Sequence, residues 1–174
     1  MGAPKRQLST IELGDAPEAW AAAGFHVDGD QLRLGSTVLR LTGDGGGVRG
    51  WAIEDVAHDV DGLRTVEAAG LEVRGGRSTT SYGSPMRQVF FWTGDVIVEL
   101  VGPDAREPTD EPTTFFGLAL VSDDLDATAT TLGELLSTPK DAVQAGRRIA
   151  GLRGGQVGIT VPVAVMSPHV RPIA

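Results

Sequence analysis

The chain has 174 residues, of which 41% are hydrophobic and 22% charged, as in an ordinary globular domain. A net charge of -8 argues against nucleic acid or an anionic membrane as partner, because both need a basic surface. No cysteine is present, which excludes disulfides, thiolate nucleophiles and sulfur-ligated metals. No segment approaches the ~20 apolar residues of a membrane span, and residues 1–10 lack an apolar export stretch. We therefore expect a cytoplasmic protein.

The first part of the chain predicts a strand, a helix and three further strands. Residues 8–13 (LSTIEL) have the composition of a strand. Gly-Asp-Ala-Pro then predicts a helix start, and Gly24 a helix end, because glycine tolerates left-handed backbone angles. The three later strands are predicted at 25–27, 31–35 and 37–42. This order defines an N-terminal βαβββ-like module over residues 1–46.

A second copy of the same order is predicted over residues 47–112. Its first strand spans 48–56, and a short helix ends in AAGLEV at 68–73, echoing AAGFHV at 22–27. Residues 74–86 hold almost no apolar side chains and predict a mobile loop or lid. Two apolar runs follow and meet at Gly94-Asp95, a pair typical of a hairpin turn.

A third copy is predicted over residues 113–174. An apolar run at 114–121 leads into Ser-Asp-Asp-Leu-Asp, a pattern that favours a helix start. Further strands are predicted at 141–144, 147–152 and 156–166, followed by an extended tail. One βαβββ unit leaves a sheet face half covered, so copies must pair to bury it.

The repeats predict an α+β protein in which βαβββ modules form a curved mixed-sheet cup. Three copies are an odd number for modules that pair. One pairing joins the second copy to the third, with the first packed outside or on another subunit. The alternative joins residues 8–56 to residues 113–168. Either arrangement leaves an apolar edge, so we expect a homodimer.

This repeated order resembles the vicinal oxygen chelate superfamily, which contains glyoxalases, bleomycin-resistance proteins and extradiol dioxygenases. The resemblance rests on SDDLDATATTLGELL, VFFWTGDVIVELVGPD and KDAVQAGRRIAGLR followed by VPVAVMSP. These segments look like glyoxalase-like proteins of actinobacteria. The resemblance implies paired modules that curl around a ligand.

The resemblance also implies where a metal would bind. Family enzymes hold a divalent ion with a histidine on a first strand and a glutamate on a last strand. The matching positions in this chain are Leu8, Ala52 and Gly117 on first strands, and Arg40, Glu99 and Ala164 on last strands. Only Glu99 keeps a ligand type, and one carboxylate binds a divalent metal weakly. We expect no metal or other cofactor, a bound divalent ion being the alternative.

Glu99 is the strongest candidate for a catalytic side chain, because it lies within a run of aliphatic residues. Burying such a carboxylate is costly unless it is paired. It would serve as an acceptor or general base in the cup. The structural alternative is a carboxylate bonded to an arginine such as Arg147 or Arg87.

Aromatic and basic side chains near Glu99 are candidate ligand-binding groups. Strand alternation sends neighbours to opposite faces, so only part of the aromatic set lines the cup and the rest is core. Arg147 would clamp an anionic group of a ligand, and Tyr82 would close over it from the long loop. The predicted ligand-binding residues are Phe90, Trp92, Phe116, Arg147 and Tyr82.

The remaining motifs add no chemistry. The three histidines are scattered, and no metal-binding histidine spacing, nucleophile elbow or dinucleotide fingerprint occurs. The sequence thus favours a metal-free, glyoxalase-like protein that binds a small, partly aromatic or apolar molecule, as in sequestration or resistance. The alternative is a glyoxalase-type lyase or isomerase that uses Glu99 as base or metal ligand.

Overall fold

The computed structural model describes residues 6–56, 71, 73–80, 83–104 and 113–168. The chain separates into two compact units. Unit 1 holds the described residues within 1–10, 35–37 and 51–114. Unit 2 holds those within 11–34, 38–50 and 115–174. The predicted second helix lies in residues 57–70, outside the described residues, as do Tyr82 and the end of the tail.

The elements of the first sheet and its helix follow the predicted order. They are β1 (Leu8–Leu13), α1 (Pro17–Ala22), β2 (Gln31–Leu34), β3 (Thr37–Leu41) and β4 (Val48–Ile53), and the sheet order is β2-β3-β1-β4. Pro17 occupies the first turn of α1, where no backbone donor is needed, and Gly24 beyond its end has a φ of +90°.

The predicted strand at residues 25–27 is wrong. The backbone N–H of Phe25 bonds to the carbonyl of Trp20 at 3.1 Å, and the two rings pack edge to face at 5.0 Å. These contacts hold the segment against the end of α1, so its backbone does not enter a strand ladder. Regular pairing starts only at the bridge between Asp28 and Gln31.

Unit 2 has a continuous apolar core that combines residues of the first and third predicted modules. Its fully buried members include Trp20, Leu13, Leu39 and Leu41, packed with Ile159, Val161 and Val163. This composition is the one expected when residues 8–56 pair with residues 113–168. Burial of large side chains at this density supplies most of the stability of such a unit.

The second sheet belongs to unit 1 and has the order β5-β6-β7, with β5 at Val73–Thr79, β6 at Met86–Thr93 and β7 at Val96–Pro103. The prediction of a loop over residues 74–86 is wrong for its first half. β5 pairs antiparallel with β6 from Val73↔Phe91 to Thr79↔Met86. Its backbone is ordered by ladder hydrogen bonds, which do not require apolar side chains on an edge strand.

The third sheet belongs to unit 2 and carries the third module. Its elements are β8 (Leu118–Val121), α2 (Leu125–Leu132), β9 (Lys140–Asp141), β10 (Arg148–Gly151) and β11 (Val163–Met166), in the sheet order β8-β11-β10-β9. The Asp124 side chain caps α2 by accepting from the N–H of Ala127 at 2.9 Å. The predicted strand over residues 156–166 forms only from Val163, because a 3₁₀ turn at Gly154–Gln156 and a bend at Val161 precede it.

The described elements confirm the predicted α+β class with mixed sheets. β8 pairs parallel with β11, while β10 pairs antiparallel with β11 and with β9. The third module is therefore strand, helix and three strands, as predicted. Among the described residues, no helix has the length and apolar character needed to cross a membrane.

Candidate functional site

The β6–β7 hairpin positions the predicted site. Its strands pair over eight residues, from Met86↔Pro103 to Thr93↔Val96. Gly94 lies at the turn with a φ of +71°, a conformation that glycine adopts without steric cost. The register places Phe90 directly opposite Glu99 and Trp92 opposite Ile97.

Strand alternation divides this hairpin into an inner and an outer set of side chains. Phe91 is fully buried and packs with Leu71, Val98 and Leu100 in the core of unit 1. Phe90, Trp92 and Glu99 point to the opposite face. The sequence left open which aromatic residues are core. The register shows that Phe91 belongs to the core and that Phe90 and Trp92 do not.

We call the side bearing Glu99 the Glu99 face. Its members on the three strands are Arg77, Gln88, Phe90, Trp92, Ile97, Glu99 and Val101. Ile97 is 51% exposed and Val101 41% exposed, so this face presents apolar side chains to solvent beside one carboxylate. Two partly exposed aliphatic side chains therefore flank Glu99 on β7.

Gln88 connects the polar groups of the Glu99 face. Its side chain is 3% exposed. Its Oε1 accepts a hydrogen bond from Arg77 Nε at 2.5 Å, and its Nε2 donates to Glu99 Oε1. The Gln88 amide therefore links the guanidinium of Arg77 on β5 to the carboxylate of Glu99 on β7.

Arg77 also contacts the aromatic part of the Glu99 face. Its guanidinium carbon lies 5.6 Å from the centroid of the Phe90 ring, a cation–π distance. Sequence reasoning missed Arg77 because residues 74–86 were predicted as loop, and it therefore also missed the bond between Arg77 and Gln88. A strand prediction for β5 would have placed Arg77 beside Gln88 by register.

The other predicted site residues belong to unit 2 or, in the case of Tyr82, fall outside the described residues. Arg147 belongs to unit 2, where its Nε donates to the Ser167 carbonyl at 2.9 Å and its Nη1 to Gln144 Oε1 at 2.8 Å. Arg147 therefore bonds within unit 2, and Gln88 bonds to Glu99 within unit 1. Phe116 also belongs to unit 2 and is 80% exposed.

Within the described part of the chain, no three histidine, aspartate or glutamate side chains cluster in a way that could hold a metal ion. His26 is exposed beyond α1, and His58 and His169 fall outside the described residues. Arg40, which matches a metal-ligand position of the resembled family, forms a salt bridge with Glu12 at 3.2 Å. Among the six positions that match metal-ligand positions of the resembled family, Glu99 is the only one with a carboxylate.

One carboxylate in unit 2 has a shifted pKa. The hydroxyl of Thr42, 2.5 Å from Asp44 Oδ1, lowers the pKa of Asp44 below its ordinary value of 3.8. The guanidinium of Arg49, 3.6 Å away, lowers it further. Asp44 is exposed in a glycine-rich turn, so this shift marks local structure rather than a buried reactive group.

Comparisons with known proteins identify distant structural neighbours only. No family model matches the sequence, and no curated protein matches it. A mutant glyoxalase I from Zea mays is 14% identical with a TM-score of 0.39, over 96% of this chain and 70% of that chain. A glyoxalase family protein from Enterococcus faecalis is 17% identical with a TM-score of 0.25, over 58% of this chain and 81% of that chain. Likeness this distant carries no conclusion about activity.

Proposed function

We propose that this protein binds a small, partly aromatic or apolar molecule on the Glu99 face without a metal, in a sequestration or resistance role. The observation that carries the proposal is the register of β6 and β7, which sets Phe90 and Trp92 beside Glu99 on one face. A flat ligand would stack on these rings and displace water from Ile97.

The polar groups of the same face would orient the ligand. Glu99 offers a carboxylate acceptor and Arg77 a guanidinium donor, and Gln88 holds both in place by hydrogen bonds. Few convergent polar groups on an apolar surface are typical of a site for a small molecule. The order of these groups across three strands favours a specific pose over nonspecific adhesion.

Other parts of the proposal extend beyond this face. We retain Phe116, Arg147 and Tyr82 as ligand-binding predictions, together with three βαβββ modules over residues 1–46, 47–112 and 113–174. The cytoplasmic location, the homodimer, the relation to actinobacterial glyoxalase-like proteins and the absence of a cofactor also stay predictions. An enzyme that uses Glu99 as base or metal ligand is the competing class, and no described cluster favours it.

A titration with 1-anilinonaphthalene-8-sulfonate, an aromatic probe with an anionic group, tests the site. We expect Phe90→Ser and Trp92→Ser each to weaken binding about tenfold, as loss of an aromatic anchor does. Val143→Ser is the matched control, because Val143 is 71% exposed in unit 2. Equal affinity of all variants, with native unfolding transitions, would refute the proposed site.

Elemental analysis separates binding protein from metalloenzyme. The protein is purified without chelator or affinity tag, and metal content is measured for the natural chain and for Glu99→Ala. We expect no stoichiometric metal in either. A near-equimolar divalent metal that disappears in Glu99→Ala would instead support the enzyme.

A further inference from the structure

Arg77 supplies a positive charge to the Glu99 face. It is exposed on β5, in register with Gln88 on β6. The salt bridges found among the described residues involve Arg40, Arg49 and Arg148, each with an aspartate or glutamate, and Arg77 forms none of them. Within the described part of the chain, the charge of Arg77 is therefore not neutralised by a paired carboxylate.

Two contacts hold the Arg77 side chain in place. Its Nε donates to Gln88 Oε1 at 2.5 Å, and Gln88 is 3% exposed. Its guanidinium carbon lies 5.6 Å from the centroid of the Phe90 ring. Because an arginine fixed in this way loses little further freedom when a ligand binds, the guanidinium is preorganised. The bond to Gln88 uses only Nε, so Nη1 and Nη2 can donate to a ligand.

The sheet is open beside Phe90 on the Arg77 side. Gly75 is the residue of β5 that pairs with Phe90. A Cβ at Gly75 would meet no atom within 4 Å apart from its chain neighbours. No side chain of β5 therefore fills the position across from Phe90, and a ligand can reach the guanidinium there.

The apolar part of the face lies on the other side of Phe90. Trp92 is two residues further along β6, which corresponds to roughly 7 Å on the same face of a strand. Trp92 pairs with Ile97, which is 51% exposed. The face thus has a fixed cation at one end and an apolar surface at the other, at a separation that an aromatic ring system with one charged substituent spans.

We propose that the ligand of the Glu99 face is an aromatic monocarboxylate, with its carboxylate on Arg77 and its ring system on Trp92 and Ile97. The Nη1 and Nη2 groups of a guanidinium present parallel N–H donors that match the two oxygens of a carboxylate. Gln88 is a positioning residue, because it acts through Arg77. This inference rests on the proposed function and adds the charge of the ligand and its direction on the face.

The charges around Arg77 favour an anion with a single charge. Glu99 pairs with Phe90, on whose ring Arg77 packs, and the chain has a net charge of -8. A second negative charge on the ligand would be repelled by this carboxylate and by the field of the protein. A phosphate monoester, which carries nearly two charges at neutral pH, should therefore bind more weakly than a carboxylate. A ligand cation would be repelled by Arg77 itself.

Calorimetric titration with two compounds of the same shape tests the charge of the ligand. The probes are 1-naphthoate, an anion at neutral pH, and 1-naphthamide, its neutral counterpart. We expect the natural chain to bind 1-naphthoate at least about tenfold more tightly, as one charge-assisted pair of hydrogen bonds provides. 1-Naphthyl phosphate should bind more weakly than 1-naphthoate.

Variants of two arginines show whether Arg77 makes the distinction. Arg77→Gln should bind the two naphthalene compounds with equal affinity, because the guanidinium is lost. Arg33→Gln is the matched control, since Arg33 is an exposed arginine on β2 in unit 2. It should keep the full preference for 1-naphthoate.

The positioning role of Gln88 has a separate readout. Gln88→Leu keeps the charge of Arg77 but removes the acceptor of its Nε. We expect the preference for 1-naphthoate to fall to about threefold or less, while affinity for 1-naphthamide stays within about twofold of the natural value. A general loss of structure would weaken both compounds together, and an unchanged preference would refute the role of Gln88.

The outcomes separate this inference from the proposed function. Equal affinity of the natural chain for 1-naphthoate and 1-naphthamide, or a preference that persists in Arg77→Gln, would overturn the carboxylate proposal. If Trp92→Ser then still weakens both compounds, the proposed site stands and only the charge of its ligand is wrong. If Trp92→Ser weakens neither compound, the proposed function fails as well.

Discussion

The Asp15 carboxylate accepts two hydrogen bonds from Thr160, which lies 145 residues further along the chain. The backbone N–H of Thr160 donates at 3.0 Å and its hydroxyl at 2.6 Å, both to Oδ1. Trp20 Nε1 donates to Oδ2 at 3.2 Å. Asp15 is 1% exposed, so these bonds satisfy a buried carboxylate and fasten the start of α1 to the C-terminal segment within unit 2.

Replacing Asp15 should therefore destabilise unit 2. Asp15→Ala leaves the Trp20 and Thr160 donors without an acceptor in a buried place, which costs about 3 kcal/mol of unfolding free energy. Urea denaturation followed by tryptophan fluorescence measures this loss, since Trp20 is in the same core. Asp141→Ala, at an exposed position, serves as control, and an equal loss there would contradict the role of Asp15.

Replacing the buried Phe91 should lower the unfolding free energy much more than replacing the exposed Phe116. Phe91→Ala empties a fully buried position in unit 1, and we expect a loss of about 4 kcal/mol from apolar transfer and cavity formation. Phe116→Ala removes a side chain that is 80% exposed and should change unfolding free energy by less than about 0.5 kcal/mol. Similar denaturation midpoints for the two variants would show that the register of β6 is wrong.

A negative charge at position 88 should disrupt the Glu99 face. In Gln88→Glu a carboxylate replaces the amide that donates to Glu99, and two acceptors then face each other at a position that is 3% exposed. We expect a loss of about 2 kcal/mol at neutral pH from this repulsion and burial.

The loss in Gln88→Glu should shrink below about pH 4, where the introduced carboxyl takes up a proton. Gln88→Leu removes the bonds to both Arg77 and Glu99 without adding charge, so its loss should not depend on pH in this way. Denaturation of both variants at neutral and acidic pH makes the comparison. A pH-independent difference would argue against contact between positions 88 and 99.

The Asp44 turn should respond to acid in a defined direction. Because the Thr42 hydroxyl lowers the pKa of Asp44, the folded state favours the carboxylate. Its contribution to stability is present above the ordinary value of 3.8 and is lost as pH falls through the lower folded pKa. In Thr42→Val the pKa of Asp44 should rise, which an NMR titration of its carboxyl carbon reports. An unchanged pKa in Thr42→Val would assign the shift to Arg49 instead.

Local patterns were sufficient where the residues that specify an element are neighbours in the chain. The Pro17 start and Gly24 end of α1, the turn at Gly94 and the acidic cap of α2 were all predicted, because each depends on backbone geometry within one turn. The α+β class followed from the repetition of these patterns. Glu99 was singled out by its charge among aliphatic residues.

Long-range pairing decided the rest. Residues 73–79 are a strand because β6 supplies hydrogen-bond partners, and residues 25–27 are not one because Phe25 packs on Trp20. Period-two alternation states that Phe90 and Phe91 face opposite ways, but only the register between β6 and β7 shows which of them shares a face with Glu99. Composition and spacing encode local conformation, whereas the contacts that complete a site join distant segments and are selected by packing in three dimensions.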